Sequence, residues 1–162
     1  MKYILTAVFT VLSINTIFCQ RTIDKTLAKL NNKSIPYITP DELQTLDNYI
    51  LLDSRKVNEF NISHIKNATW VGYKEFDLNL IPNTLKDTPI VVYCSIGVRS
   101  EDIGEKLVAS GYTNVKNLYG GIFLWLEKGY PIYDINEKET KKVHAFSKYW
   151  GKLLTKGEKI YN

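Results

Sequence analysis

Cys94 stands at the end of the apolar run Pro89-Ile90-Val91-Val92-Tyr93 and opens the segment Cys94-Ser95-Ile96-Gly97-Val98-Arg99-Ser100. A helix-like stretch follows, with Ile103, Leu107 and Val108 at helical spacing and Gly111 as its stop. A strand that delivers a thiol into a short glycine-containing loop ahead of a helix N-terminus places a nucleophile in an anion site. Backbone N–H groups at a helix start carry partial positive charge and stabilise a thiolate or an anion built on its sulfur. Arg99 adds a permanent charge and a forked donor. A buried, inert strand-end cysteine is the bland alternative, and it accounts for neither Gly97 nor Arg99.

The elements that would hold this loop alternate. Residues Thr22 to Asn31 read as a short amphipathic helix with Ile23, Leu27 and Leu30 on one face. Thr39-Pro40-Asp41-Glu42 reads as a helix start, with Thr39 as cap and Glu42 completing a capping box. Tyr49–Asp53, Ala68–Tyr73, Pro89–Tyr93 and Val115–Tyr119 read as strands, and Ile122–Lys128 as a short helix closed by Gly129. The alternation predicts an α/β fold around a mostly parallel sheet. Ligands gather at the carboxyl ends of such strands, where Asp53 and Cys94 both fall. Beyond Asn136 the composition turns to Lys and Glu. Phe146, Tyr149, Trp150, Leu153 and Leu154 recur at helical spacing, which predicts a basic amphipathic C-terminal helix over residues 136–162.

The chain has 162 residues, enough for one domain with a real core, and its apolar fraction of 44% is that of a globular protein. The net charge is +4. Seven Lys against three Glu from Glu137 onward account for it, so the remainder is near neutral. That balance argues against nucleic acid as a partner. His64 and His144 are the two histidines and have no ligand spacing, so no metal or other cofactor is implied.

Lys2 followed by the uncharged, mostly apolar stretch Tyr3–Phe18 and then Cys19-Gln20-Arg21 has the layout of a secretory signal peptide, assigned to residues 1–19. The expectation is an exported protein, periplasmic or secreted. A retained membrane anchor and a lipid on Cys19 are the alternatives, and only they would bring the chain to a membrane. Of two cysteines, removal of the signal leaves Cys94 alone. A lone thiol in an exported protein is a candidate reactive group.

Four motifs, in order, give the chain a family resemblance. Cys94-Ser95-Ile96-Gly97-Val98-Arg99-Ser100 resembles the Cys-x-x-Gly-x-Arg-Ser active-site loop of the single-domain rhodaneses. Asp53-Ser54-Arg55 resembles their Asp-x-Arg motif. Glu59-Phe60, His64-Ile65 and Asn67-Ala68 resemble Glu-Phe-x-x-Gly-His-Ile-x-x-Ala, with Ser63 in place of the glycine. Tyr119-Gly120-Gly121-Ile122 with Trp125 resembles the closing Gly-Gly-x-x-x-Trp segment. The likeness runs from about Ile38 to Ile132. It implies a rhodanese-like three-layer α/β/α domain over residues 38–135, preceded by an N-terminal helical extension over residues 20–37.

The resemblance implies a sulfurtransferase. Cys94 would be the nucleophile that carries a persulfide, and Ser95, Ile96, Gly97, Val98, Arg99 and Ser100 the cradle around it. Asp53, Arg55, Glu59 and His64 stand either at the pocket rim or in an internal pair that pins the loop after the second strand. Trp125 reads as packing. The implied partners are a small sulfane-sulfur donor and an acceptor, either a thiol, cyanide or the thiol of a partner protein. The loop has one basic residue, Arg99, where some members have two. The related cysteine-dependent phosphatases use a longer loop and a nearby Asp acid, and this chain has neither. A sulfur-carrier or interaction module with little turnover is the second reading. A redox thiol would need an external resolving partner.

Overall fold

The computed structural model describes residues 22–161. The signal-peptide assignment, with Cys19 and the first residues of the extension, lies outside them.

Helix α1 spans residues 22–30, as the periodicity predicts. Ile23 and Leu27 are buried, but Leu30 turns outward. Strand β1 (Tyr37–Ile38) follows, then α2 (Pro40–Gln44), β2 (Ile50–Asp53), α3 (Val57–Ile62), β3 (Thr69–Trp70), β4 (Ile90–Tyr93), α4 (Arg99–Ala109), β5 (Val115–Leu118) and α5 (Gly121–Glu127). The capping box at α2 forms as its residues dictate. The Glu42 N–H donates to Thr39 Oγ1 and the Thr39 N–H to Glu42 Oε2.

The sheet has the order β1-β5-β4-β2-β3, and every pairing in it is parallel. Side chains on β4 alternate between two cores with the period of a strand. Val91 and Tyr93 pack with α1, α2 and α5 through Ile23, Leu43 and Phe123. Ile90 and Val92 pack with Ile103 and Leu107 of α4 and with Ile81. Both faces are covered, which is why β4 reads as an unbroken apolar run. This is the expected three-layer α/β/α domain. β1 escapes sequence reading because two residues of strand give no period. β3 is shorter than the Ala68–Tyr73 run suggests.

The C-terminal amphipathic helix expected over residues 136–162 does not form. β6 (Ile132–Tyr133) and β7 (Glu139–Thr140) make an antiparallel pair, and β8 (Lys142–His144) and β9 (Glu158–Ile160) a parallel one. Only one turn of 3₁₀ helix, Trp150–Leu153, uses the apolar spacing that suggested a helix. Phe146 sits at φ 63°, Gly157 at φ 84°, and Gly151 packs against the Tyr161 hydroxyl. Glycines inside a helix also disfavour it. Val143, Ala145 and Leu154 bury instead against the α1–α5 face. The Glu127 carboxylate at the end of α5 ties the segment down by accepting the N–H groups of Thr155 and Lys156.

Candidate active site

β4 ends at Tyr93 and α4 begins at Arg99, so the loop 94–98 lies at the carboxyl edge of the central strand. Three of its carbonyls are turned away from the sulfur, each toward a donor. The Ile122 N–H donates to Cys94 O at 3.0 Å and the Phe123 N–H to Ser95 O at 3.1 Å. Gly97 O accepts two side-chain amides, Asn31 Nδ2 and Asn117 Nδ2, both at 2.8 Å. Because a peptide unit is planar and trans, the Val98 N–H points away from those two amides. The Gly97 N–H points at the sulfur, 3.2 Å from Cys94 Sγ. Gly97 reaches this arrangement at φ 110°, a conformation that a side chain would strain.

The Gly120–Gly121 pair fits the same geometry. Gly121 stands at φ 52° against the loop, where a Cβ would collide with the Cys94 and Ser95 carbonyls. The bare α-carbon of Gly121 lets the first turn of α5 dock directly on the loop, and a Cβ on Gly120 would collide with Leu124 one turn on. Ser100, at the start of α4, donates its hydroxyl to Asn117 Oδ1 at 2.8 Å, which orients the amide that holds Gly97 O. Asn31 and Asn117 carry no local sequence signature.

Cys94 is 1% exposed. Burial pushes its thiol up, but the Arg99 charge and hydrogen bonds from Ser100 and from the Gly97 N–H outweigh it. The pKa lies below that of a free cysteine. The sulfur is therefore sheltered but ringed by donors, and a cavity of about 120 Å³ opens onto it. Its lining is Cys94, Ser95, Ile96, Val98, Arg99, Phe146 and Trp150. The last two come from the C-terminal segment, and sequence reading gave them a helix face rather than a pocket wall.

Arg99 and Glu59 form a forked pair, Nη1 to Oε2 at 2.7 Å and Nη2 to Oε1 at 2.9 Å. Arg99 Nη2 also reaches Ser95 Oγ at 3.0 Å. Burial pushes the Glu59 carboxyl up, but Arg99 and Arg55 overcome this and hold it below the usual range. Glu59 thus belongs to the loop.

Asp53 and Arg55 do not reach the pocket. They form a fully buried pair, 2.6 Å from Arg55 Nη2 to Asp53 Oδ2, and Arg55 donates to Ser63 O on the far side of α3. His64 is set apart as well. It stacks on Phe60 and meets Glu137 at 3.3 Å. Trp125 packs on Tyr130 and donates to Pro131 O. Glu101, in the first turn of α4, accepts the N–H groups of Asn32 and Ser34 and so fastens the N-terminal extension.

The model of the family "Rhodanese-like domain" matches residues 39–128. The thiosulfate sulfurtransferase GlpE of Coxiella burnetii is 27% identical over 105 residues, which cover 65% of this chain and 96% of that protein. The tRNA uridine(34) hydroxylase of Pelagibacter ubique is 36% identical over 103 residues, 59% of this chain but 34% of that longer protein. Among solved structures, a rhodanese-related protein from Thermoplasma volcanium superposes with a TM-score of 0.53 at 28% identity, covering 60% of this chain and 96% of that one.

Proposed function

Because this chain belongs to the rhodanese-like family, we propose that it is an exported sulfurtransferase that works through a persulfide on Cys94. Sulfurtransferases among its relatives support sulfur transfer in general. The arrangement around the sulfur supports the particular route. In the first half-reaction the Cys94 thiolate attacks the outer sulfur of a donor R–S–S⁻. The new Cys94 Sγ–S bond forms as the donor's S–S bond breaks, and R–S⁻ leaves. In the second, an acceptor thiolate or cyanide attacks that outer sulfur, and Cys94 leaves as the thiolate. No general base is needed, since each nucleophile arrives deprotonated.

The loop's task is to hold negative charge on a sulfur one bond further out. Outward carbonyls and inward N–H groups do this without reorganisation at the moment of transfer. The observation that carries the reading is the Gly97 N–H on Cys94 Sγ, in a loop whose carbonyls at Cys94, Ser95 and Gly97 are held from behind. Glu59 holds Arg99 beside the sulfur as a positioning residue.

The test is intact mass after incubation with sulfane donors. The wild type gains one sulfur atom, loses it to cyanide or a thiol, and turns over repeatedly, and Cys94→Ser gains nothing. A chain that never takes up sulfur overturns the assignment. One that loads but does not turn over is a carrier. Export rests on residues 1–19, and N-terminal sequencing of the protein recovered from outside the cytoplasm tests it.

A further inference from the structure

The cavity wall is unlike an oxyanion site. Of its seven lining residues only Arg99 is charged. Its guanidinium is already engaged by both Glu59 oxygens and by Ser95 Oγ. Its face is covered by the Phe146 ring, with the guanidinium carbon 4.9 Å from the ring centroid. Ile96, Val98, Phe146 and Trp150 supply the remaining wall beyond the cysteine and Ser95. A small multiply charged donor would have to leave water here without gaining a free cation.

Phe146 is held in place. It takes a left-handed backbone at φ 63°, and its N–H donates to Nδ1 of the buried His144 at 3.0 Å. Lys56 Nζ lies 5.7 Å from the ring centroid. Lys56 is solvent-exposed, so its charge at the rim is screened. Phe146 remains 39% exposed, an apolar residue left open beside the sulfur. An apolar cavity of about 150 Å³ accepts benzene. One of about 120 Å³ that also opens to solvent has room for a ring or a short alkyl group.

We propose that the donor carries its sulfane sulfur on an uncharged apolar group, aryl or branched alkyl, and that Phe146, backed by Trp150, is the residue that selects it. This rests on the sulfurtransferase reading above and names the substrate class of that site. For an arenethiosulfonate the first step balances as Cys94–S⁻ + Ar–SO₂–S⁻ → Cys94–S–S⁻ + Ar–SO₂⁻. The Cys94 Sγ–S bond forms, the sulfonyl–sulfur bond breaks, and the sulfinate leaves with the electron pair.

Three donors with the same kind of bond separate charge from apolar bulk: benzenethiosulfonate, methanethiosulfonate and thiosulfate. The expected order of kcat/KM for loading Cys94, normalised to the rate of each donor with a free thiol, is aryl over methyl by about tenfold or more. Thiosulfate, the dianion, comes last. Phe146→Ala brings the aryl-to-methyl ratio to within about threefold, and Phe146→Leu keeps part of it. Trp150→Ala gives a second reading of the same wall should the Phe146 variants fold poorly. Equal normalised rates for the two thiosulfonates in the wild type, or a preference for thiosulfate, overturn the proposal while leaving sulfur transfer intact. Failure of all three donors to load Cys94 overturns both.

Discussion

Two arginine–carboxylate pairs meet around α3, and they do different work. Asp53–Arg55 is entirely out of water and spans the helix, joining the end of β2 to Ser63 O beyond it. Trp70 Nε1 donates to the Arg55 carbonyl from the next strand. Every partner in this node is part of the scaffold. Arg99–Glu59 is as short, but its arginine is 15% exposed and shares its donors with Ser95 at the pocket. The same fork serves as a rivet in one place and as a charged wall beside a nucleophile in the other. What separates them is which atoms lie next to the pair, not its geometry. A motif match alone would rank both arginines together.

Arg55→Met separates them most sharply. It leaves Asp53 charged and buried, and unfolding in urea should show a loss of about 3–5 kcal/mol. Any protein that remains folded should keep the alkylation pH profile of Cys94. A loss under 1 kcal/mol would mean that the rivet carries no load.

Arg99→Met should cost less, about 2 kcal/mol, since solvent reaches the edge of that pair. Its larger effect is chemical. In the wild type the Cys94 thiol is held below its ordinary value, so the iodoacetamide rate should fall with acid at a lower pH than it does for a free cysteine. Removing the Arg99 charge moves that fall to higher pH. If the profile stays put, the N–H groups alone hold the thiolate.

Asn117→Ala tests the loop from behind. Gly97 O keeps Asn31 but loses one of two donors, and the Ser100 hydroxyl loses its acceptor. The expected loss is about 1–2 kcal/mol, together with slower sulfur loading. The smallest effect belongs to Thr39→Ala, which breaks the α2 capping box for about 1 kcal/mol and leaves the Cys94 profile as it was.

The legible part of this molecule is the part with a period or a spacing. β2 and β4 announce themselves as apolar runs, and the thiol, glycine and arginine of the loop by their order along it. Glu59 was in view but without a partner, because its fork to Arg99 closes across 40 positions of chain. Asn31 and Asn117 do their work by pointing at a backbone carbonyl, an act that leaves no trace in residue type. The C-terminal segment misled for a definite reason. Phe146, Tyr149, Trp150, Leu153 and Leu154 do match a helical stripe, but burial of Val143 and Ala145 and the β8–β9 pairing hold the chain in another conformation. Local propensity yields where tertiary contacts are stronger.

Phe146 and Trp150 lie beyond the stretch that matches the family, anchored through Glu127 and β9. On the two proposals above, sulfur chemistry and the choice of what delivers the sulfur are written in separate stretches of sequence. Exchanging Phe146 and Trp150 for the residues of a cousin would then refit the mouth of this protein and leave its throat as it is.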